Sequence, residues 1–116
     1  MNLQNSEMRA LKAKARQAEI LLKALANEHR LAILCELHMG ERSVSALQEA
    51  VGLGQSALSQ HLARLRQDSL VVTRRQAQTI HYSIGSERVG EVISVLHRIF
   101  CASGCRKPAR RARRFA

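Results

Sequence analysis

Apolar side chains recur every three or four positions in the first part of the chain. Between residues 6 and 26 they fall at Met8, Leu11, Ala15, Ala18, Leu22 and Leu25, with charges interspersed, which is the period of an amphipathic helix. Asn27 is suited to cap a second helix, with Glu28 in the first turn, where an acidic group meets the positive end of the helix dipole. Leu31, Leu34, Cys35 and His38 are spaced along one side of that helix up to Gly40. Ser43 starts a third helix carrying Val44, Leu47 and Val51, and Gly52 closes it in a conformation other residues resist. A turn over residues 52–54 leads to a fourth helix over 55–67. Its Leu58, Leu62 and Leu65 point inward, and Gln55, Ser56, Ser59, Gln60, Arg64 and Arg66 point outward.

Beyond residue 67 the period shortens to two. Residues 70–75 and 79–84 are β-branched or alternating and are joined by Gln76-Ala77-Gln78, which predicts one hairpin. Ser86 caps a fifth helix whose Val89, Val92, Ile93, Val95, Leu96, Ile99 and Phe100 cover more than one face. A single small core cannot absorb that surface, so helices one and five are expected to form the seam of a two-fold homodimer.

Composition narrows the partner. The 116 residues hold 19 Lys+Arg against 9 Asp+Glu, a net charge of +10, while 46% are hydrophobic. The chain is too apolar for a disordered polycation, and its charge calls for a polyanion. We expect one compact domain over residues 1–104 and a basic, flexible tail over 105–116, where six positive residues crowd into 106–114. Such a tail is more often a non-specific phosphate anchor than a specific reader. The longest strictly apolar run, residues 31–35, is far short of the roughly 20 residues of a membrane span, and charges break every apolar stretch near the amino terminus. The chain is therefore expected to work in the cytoplasm, with no membrane partner. Three cysteines without a secretory signal point to buried, metal-binding or redox-reactive thiols rather than a disulfide scaffold.

Two short helices joined by a glycine turn, followed by a basic hairpin, have the order of a winged helix-turn-helix. The expected fold is mainly α with a small β-hairpin wing, in the α+β class and dimeric. The second helix of such a pair fits the major groove, where amides and guanidinium groups match base-edge donors and acceptors. Gln55, Ser56, Ser59 and Gln60 are the candidates for reading bases. Arg64, Arg66, Arg74 and Arg75 are the candidates for holding phosphates, and the hairpin tip around Gln78 is able to enter a minor groove. His61 and His81 fall near this face, and His61 is counted with the DNA-binding set. A solvated polar face on an ordinary helical domain is the plainer alternative; the charge and the appended hairpin weigh against it.

The segments Leu25-Ala26-Asn27-Glu28-His29-Arg30-Leu31-Ala32-Ile33-Leu34, Ser43-Val44-Ser45-Ala46-Leu47, Tyr82-Ser83-Ile84 and residues 55–66 resemble the ArsR/SmtB family of bacterial dimeric repressors. The resemblance runs over roughly residues 15 to 101. Within that family, Ile33-Leu34-Cys35 with Leu96-His97-Arg98-Ile99-Phe100-Cys101 is similar to the HlyU/BigR/SqrR branch. Members of that branch sense oxidants or reactive sulfur species through a cysteine pair, so the resemblance implies that Cys35 and Cys101 are the sensing thiols. The implied partners are a palindromic double-stranded DNA operator, a second copy of the chain and a small oxidant or persulfide signal. Without the resemblance, both cysteines read more readily as small buried apolar residues than as reactive thiols. His29, Arg30 and His38 are candidates for lowering a thiol pKa, and Cys105 beside the basic segment has no partner by this pattern.

Metal sensing is the family's other common activity. Its Cys-Val-Cys arsenic and cadmium site is replaced here by Arg42-Ser43-Val44-Ser45, and its zinc site on the last helix retains only His97. His97, Cys101 and Cys105 at helical spacing leave one metal alternative open, although Gly104 is expected to end the helix before Cys105. The expectation is therefore no metal and no cofactor. A metal-responsive repressor and a non-specific architectural DNA-binding protein are the rival readings. No spacing of Glu, Asp and His suggests a catalytic site.

Overall fold

In a computed structural model of the chain, the described residues are 5–101. The expected basic tail over 105–116, and Cys105, lie outside them. The order is α1 (Asn5–Leu25), α2 (Glu28–His38), β1 (Arg42–Ser43), α3 (Val44–Val51), α4 (Gln55–Gln67), β2 (Val71–Gln76), β3 (Thr79–Ile84) and α5 (Glu87–Cys101).

Local chemistry sets the boundaries. Asn27 is extended, and its side-chain oxygen accepts from the His29 and Arg30 N–H groups, both at 3.0 Å, satisfying donors that a helix start leaves orphaned. Ser43 does the same for Ala46 at 3.2 Å. Gly52 ends α3 at φ +72°, in the left-handed region, with its N–H on the Gln48 carbonyl. Arg30 reaches back to α1, donating from Nε to the Ala24 carbonyl at 2.7 Å and from Nη2 to Lys23 at 3.2 Å. That contact joins the end of α1 to the start of α2.

The sheet is antiparallel with strand order β1-β3-β2. Strands β2 and β3 pair from Val71↔Ile84 to Gln76↔Thr79. Gln76 thus belongs to the strand, and the joint contracts to Ala77 and Gln78, with Ala77 at φ +57°. The third strand, β1, pairs Arg42 with Tyr82 and Ser43 with His81. A two-residue strand carries no alternation and was not expected from the sequence.

The core gathers Ile33, Leu34 and Leu37 of α2, Leu47 of α3, Leu58, Leu62 and Leu65 of α4, Val71 of β2, and Val89 and Ile93 of α5. Burying each such side chain favours folding by about 1.5–3 kcal/mol. Helix α2 is apolar on more than the expected side: Leu31 and Cys35 are half-buried and His38 is exposed. On α1 only Leu21, Ala24 and Leu25 pack against the body. Its expected apolar stripe is otherwise in the open, with Leu11 54% and Leu22 60% exposed, as are Ile99 (63%) and Phe100 (78%) on α5.

Candidate nucleic-acid interface

Helices α3 and α4, joined by the 52–54 turn, form the helix-turn-helix, and β2 with β3 forms the wing. Leu58, Leu62 and Leu65 seat α4 on the core, leaving Gln55, Ser56, Ser59, Gln60, Arg64 and Arg66 exposed on its other side. Gly54 precedes α4 and offers no side-chain cap, so the first N–H groups of the helix keep no such partner. Arg74, Arg75 and Gln78 are exposed on the wing.

His61 stands apart from the others. It follows Leu58 by three positions and precedes Leu65 by four, so it lies on the inward edge of α4, half-buried, with its ring centroid 5.6 Å from that of His29 on α2. Burial first, then Arg30 and His29, pushes its pKa down. Counting along the helix turn was the signal that separates His61 from the reading side.

The candidate phosphate holders divide as well. Arg64 donates from Nε to Asp68 at 3.1 Å. Arg74 donates from Nε and Nη2 to the two Glu41 carboxylate oxygens at 3.0 and 2.7 Å. The hydrogen bond from Arg74 holds the Glu41 carboxyl below its ordinary pKa, and Glu41 raises that of Arg74. Arg66 and Arg75 make no ion pair among the described residues. Glu41 as a wing partner was not foreseen, because only the folded turn after α2 brings it to β2.

The two cysteines occupy the α2–α5 contact, both half-buried. The Cys35 thiol is pushed up to about 11, by burial first, then by Cys101 and then by Glu36. An effect of Cys101 on Cys35 means that the sulfurs lie within electrostatic reach. His38 Nε2 and Ser94 Oγ, 3.3 Å apart, bridge the same two helices. None of His29, Arg30 and His38 lowers the Cys35 pKa: their partners are His61, the α1 carbonyls and Ser94 respectively. Among the described residues no three His, Cys, Asp or Glu side chains cluster to hold a metal. His97 is exposed, and the metal alternative needs Cys105, outside the described set.

A reading helix packed on a small core and flanked by a basic antiparallel wing defines a winged helix-turn-helix DNA-binding regulator. Residues 27–73 match the family described as bacterial regulatory protein, arsR family. The chain is 52% identical over 101 residues to the transcriptional activator HlyU of Vibrio cholerae, spanning 87% of this chain and 89% of that one. Among solved structures it is similar to the transcriptional repressor BigR from Xylella fastidiosa, with TM-score 0.77, 36% identity, and 82% and 97% of the two chains covered. It is also similar to the homodimeric winged helix-turn-helix DNA-binding domain of Mb0332 from Mycobacterium bovis, with TM-score 0.68, 33% identity, and 85% and 89% coverage. This chain belongs to the ArsR family. It is a transcriptional regulator and not an enzyme.

Proposed function

We propose that the chain works as a homodimer on an approximately palindromic operator and that Cys35 and Cys101 form a dithiol switch that lowers operator affinity when oxidised. The exposed apolar residues of α1 and α5 supply the dimer seam. Gln55, Ser56, Ser59 and Gln60 read base edges, Arg64, Arg66, Arg75 and Gln78 meet the backbone or the adjacent minor groove, and Glu41 holds Arg74 back from the phosphates. Two-fold symmetry sets the half-sites about 34–36 Å apart.

The observation that carries the switch is the influence of Cys101 on the Cys35 thiol across the α2–α5 contact. Peroxide takes the pair to a disulfide with release of two waters. With a persulfide, one thiol accepts the sulfane sulfur and releases the carrier thiol. The second thiol then attacks the protein persulfide, forming the disulfide and releasing hydrogen sulfide; where both thiols have first accepted a sulfane sulfur, attack of one persulfide on the other releases hydrogen sulfide and leaves a trisulfide link. Helix α2 supports α4 and α5 supports the seam, so a covalent link between them shifts the two reading heads relative to each other.

Intact mass spectrometry beside an operator-binding assay tests this reading. Peroxide or organic persulfide is expected to remove two hydrogens or add sulfur, with parallel loss of binding. Cys35→Ser and Cys101→Ser proteins are expected to bind DNA and ignore both reagents. Full release of either variant by oxidant refutes the pair.

A further inference from the structure

An open cleft of about 380 Å³ runs beside the C-terminal half of α4, lined by Val44, Ser59, Leu62, Ala63, Arg66, Gln67 and Tyr82. We infer that this cleft is a docking site for one sugar-phosphate unit of the DNA backbone, with Arg66 and the Tyr82 hydroxyl as its phosphate-binding groups. The inference rests on α4 entering the major groove. It adds a residue, Tyr82, and a second kind of contact to that reading.

Position along the helix is the first argument. Ser59 belongs both to the base-reading side and to the cleft, and Arg66 lies seven residues further on, about 10 Å at 1.5 Å per residue. The major groove is about 12 Å wide. A helix that sets Ser59 at the base edges therefore carries Arg66 over the flanking phosphate ridge.

The second argument is which cations remain available. Asp68 occupies Arg64 and Glu41 occupies Arg74. Among the described residues the Arg66 side chain has no ion-pair or hydrogen-bond partner, and the Tyr82 hydroxyl has no hydrogen-bond partner. An uncommitted guanidinium meets a phosphate without first giving up a carboxylate.

Shape and lining are the third. Val44, Leu62 and Ala63 make an apolar wall suited to the carbon face of a deoxyribose, and Ser59, Arg66, Gln67 and Tyr82 supply polar groups around it. Tyr82 is held firmly, as the central strand β3 pairs it with Thr73 on one side and Arg42 on the other, and its ring packs against the core. A hydroxyl on so fixed a ring is already oriented before DNA arrives.

The test measures binding of the full-length protein to an operator duplex and to a random duplex across a salt series. Arg66→Gln is expected to weaken both about tenfold, in line with loss of one charged hydrogen bond, and to reduce the slope of log affinity against log salt by about 0.9. Tyr82→Phe, which keeps the ring and its packing, is expected to weaken both duplexes by a smaller common factor without changing the slope. Ala63→Leu fills the cleft from an exposed position and is expected to mimic the Arg66 variant. Replacing single phosphates of the operator by methylphosphonates is expected to reveal one position at which wild type falls to the level of Arg66→Gln and that variant falls no further. Wild-type affinity and slope in all three variants overturns the cleft, as does a change confined to sequence preference. A loss of operator preference in Gln60→Ala, seen beside unaltered cleft variants, refutes the cleft and leaves the reading helix standing. Absence of any operator preference in wild type overturns both.

Discussion

Arg74 and Glu41, 33 positions apart in the chain, meet as a two-pronged ion pair on the surface, with N–O distances of 3.0 and 2.7 Å. The pair ties the wing to the turn after α2 and occupies a guanidinium that a phosphate would otherwise take. Both side chains face solvent, so the pair contributes little to folding. Glu41→Gln is expected to leave the melting temperature nearly unchanged while tightening binding to any duplex. One further phosphate contact steepens the log–log salt dependence by about 0.9. An unchanged slope in this variant means that Arg74 faces away from the DNA.

The Cys35 thiol, pushed from 9.0 up to about 11, is largely protonated at neutral pH. Alkylation of Cys35, followed by peptide mass mapping, is expected to accelerate through pH 9 and 10 and to reach half its maximum only near pH 11. Half-maximal labelling by pH 8 contradicts this. The native state holds the thiol proton more tightly than the unfolded chain, so this contribution to stability is complete below about pH 9 and is lost as pH rises towards about 11. Cys35→Ser is expected to flatten the alkaline decline in melting temperature.

Gly85 sits where the wing returns to α5. A Cβ built there lies 2.8 Å from Val72 Cγ1 and 3.2 Å from the Val71 carbonyl carbon. The first contact involves a half-exposed side chain that can turn; the second is backbone and cannot. Gly85→Ala is expected to destabilise the fold by about 1–3 kcal/mol in denaturant titration, the usual range for overpacking. Combining it with Val72→Ala recovers part of the loss. Full recovery would show that the backbone contact relaxes freely.

The helices were legible because their caps and breaks are local. Asn27, Ser43 and Gly52 perform in the structure the roles their side chains imply, and α4 spans Gln55–Gln67 as its leucine spacing predicts. What the sequence did not disclose depends on pairings distant along the chain. Strand β1 exists only because β3 offers an edge to Arg42 and Ser43, and Glu41 finds Arg74 only once that turn is folded against the wing. Tyr82 reads as one more strand residue until the cleft beside α4 is formed. His61 was the exception. Its place between Leu58 and Leu65 already puts it on the inward edge of the helix, although its nearness to the reading residues in sequence groups it with the DNA-binding set.

That inward histidine gives α4 a response to acid. His61 is pressed against His29, and its pKa is lowered by burial, by Arg30 and by His29. Arg30 is itself pushed down, by burial first and then by Arg64, with Asp68 acting in the opposite sense, so one group of charges spans α2 and α4. The unfolded chain takes up the His61 proton near pH 6.5 and the native state only at lower pH. Stability from the neutral ring is therefore complete above about pH 6.5 and is lost as pH falls through the lowered native value. His61→Gln keeps a polar side chain at the site but removes the titration. Between pH 7.5 and 5.5 its melting temperature is expected to fall less than that of wild type. Equal declines in the two proteins would assign the acid response to groups other than His61.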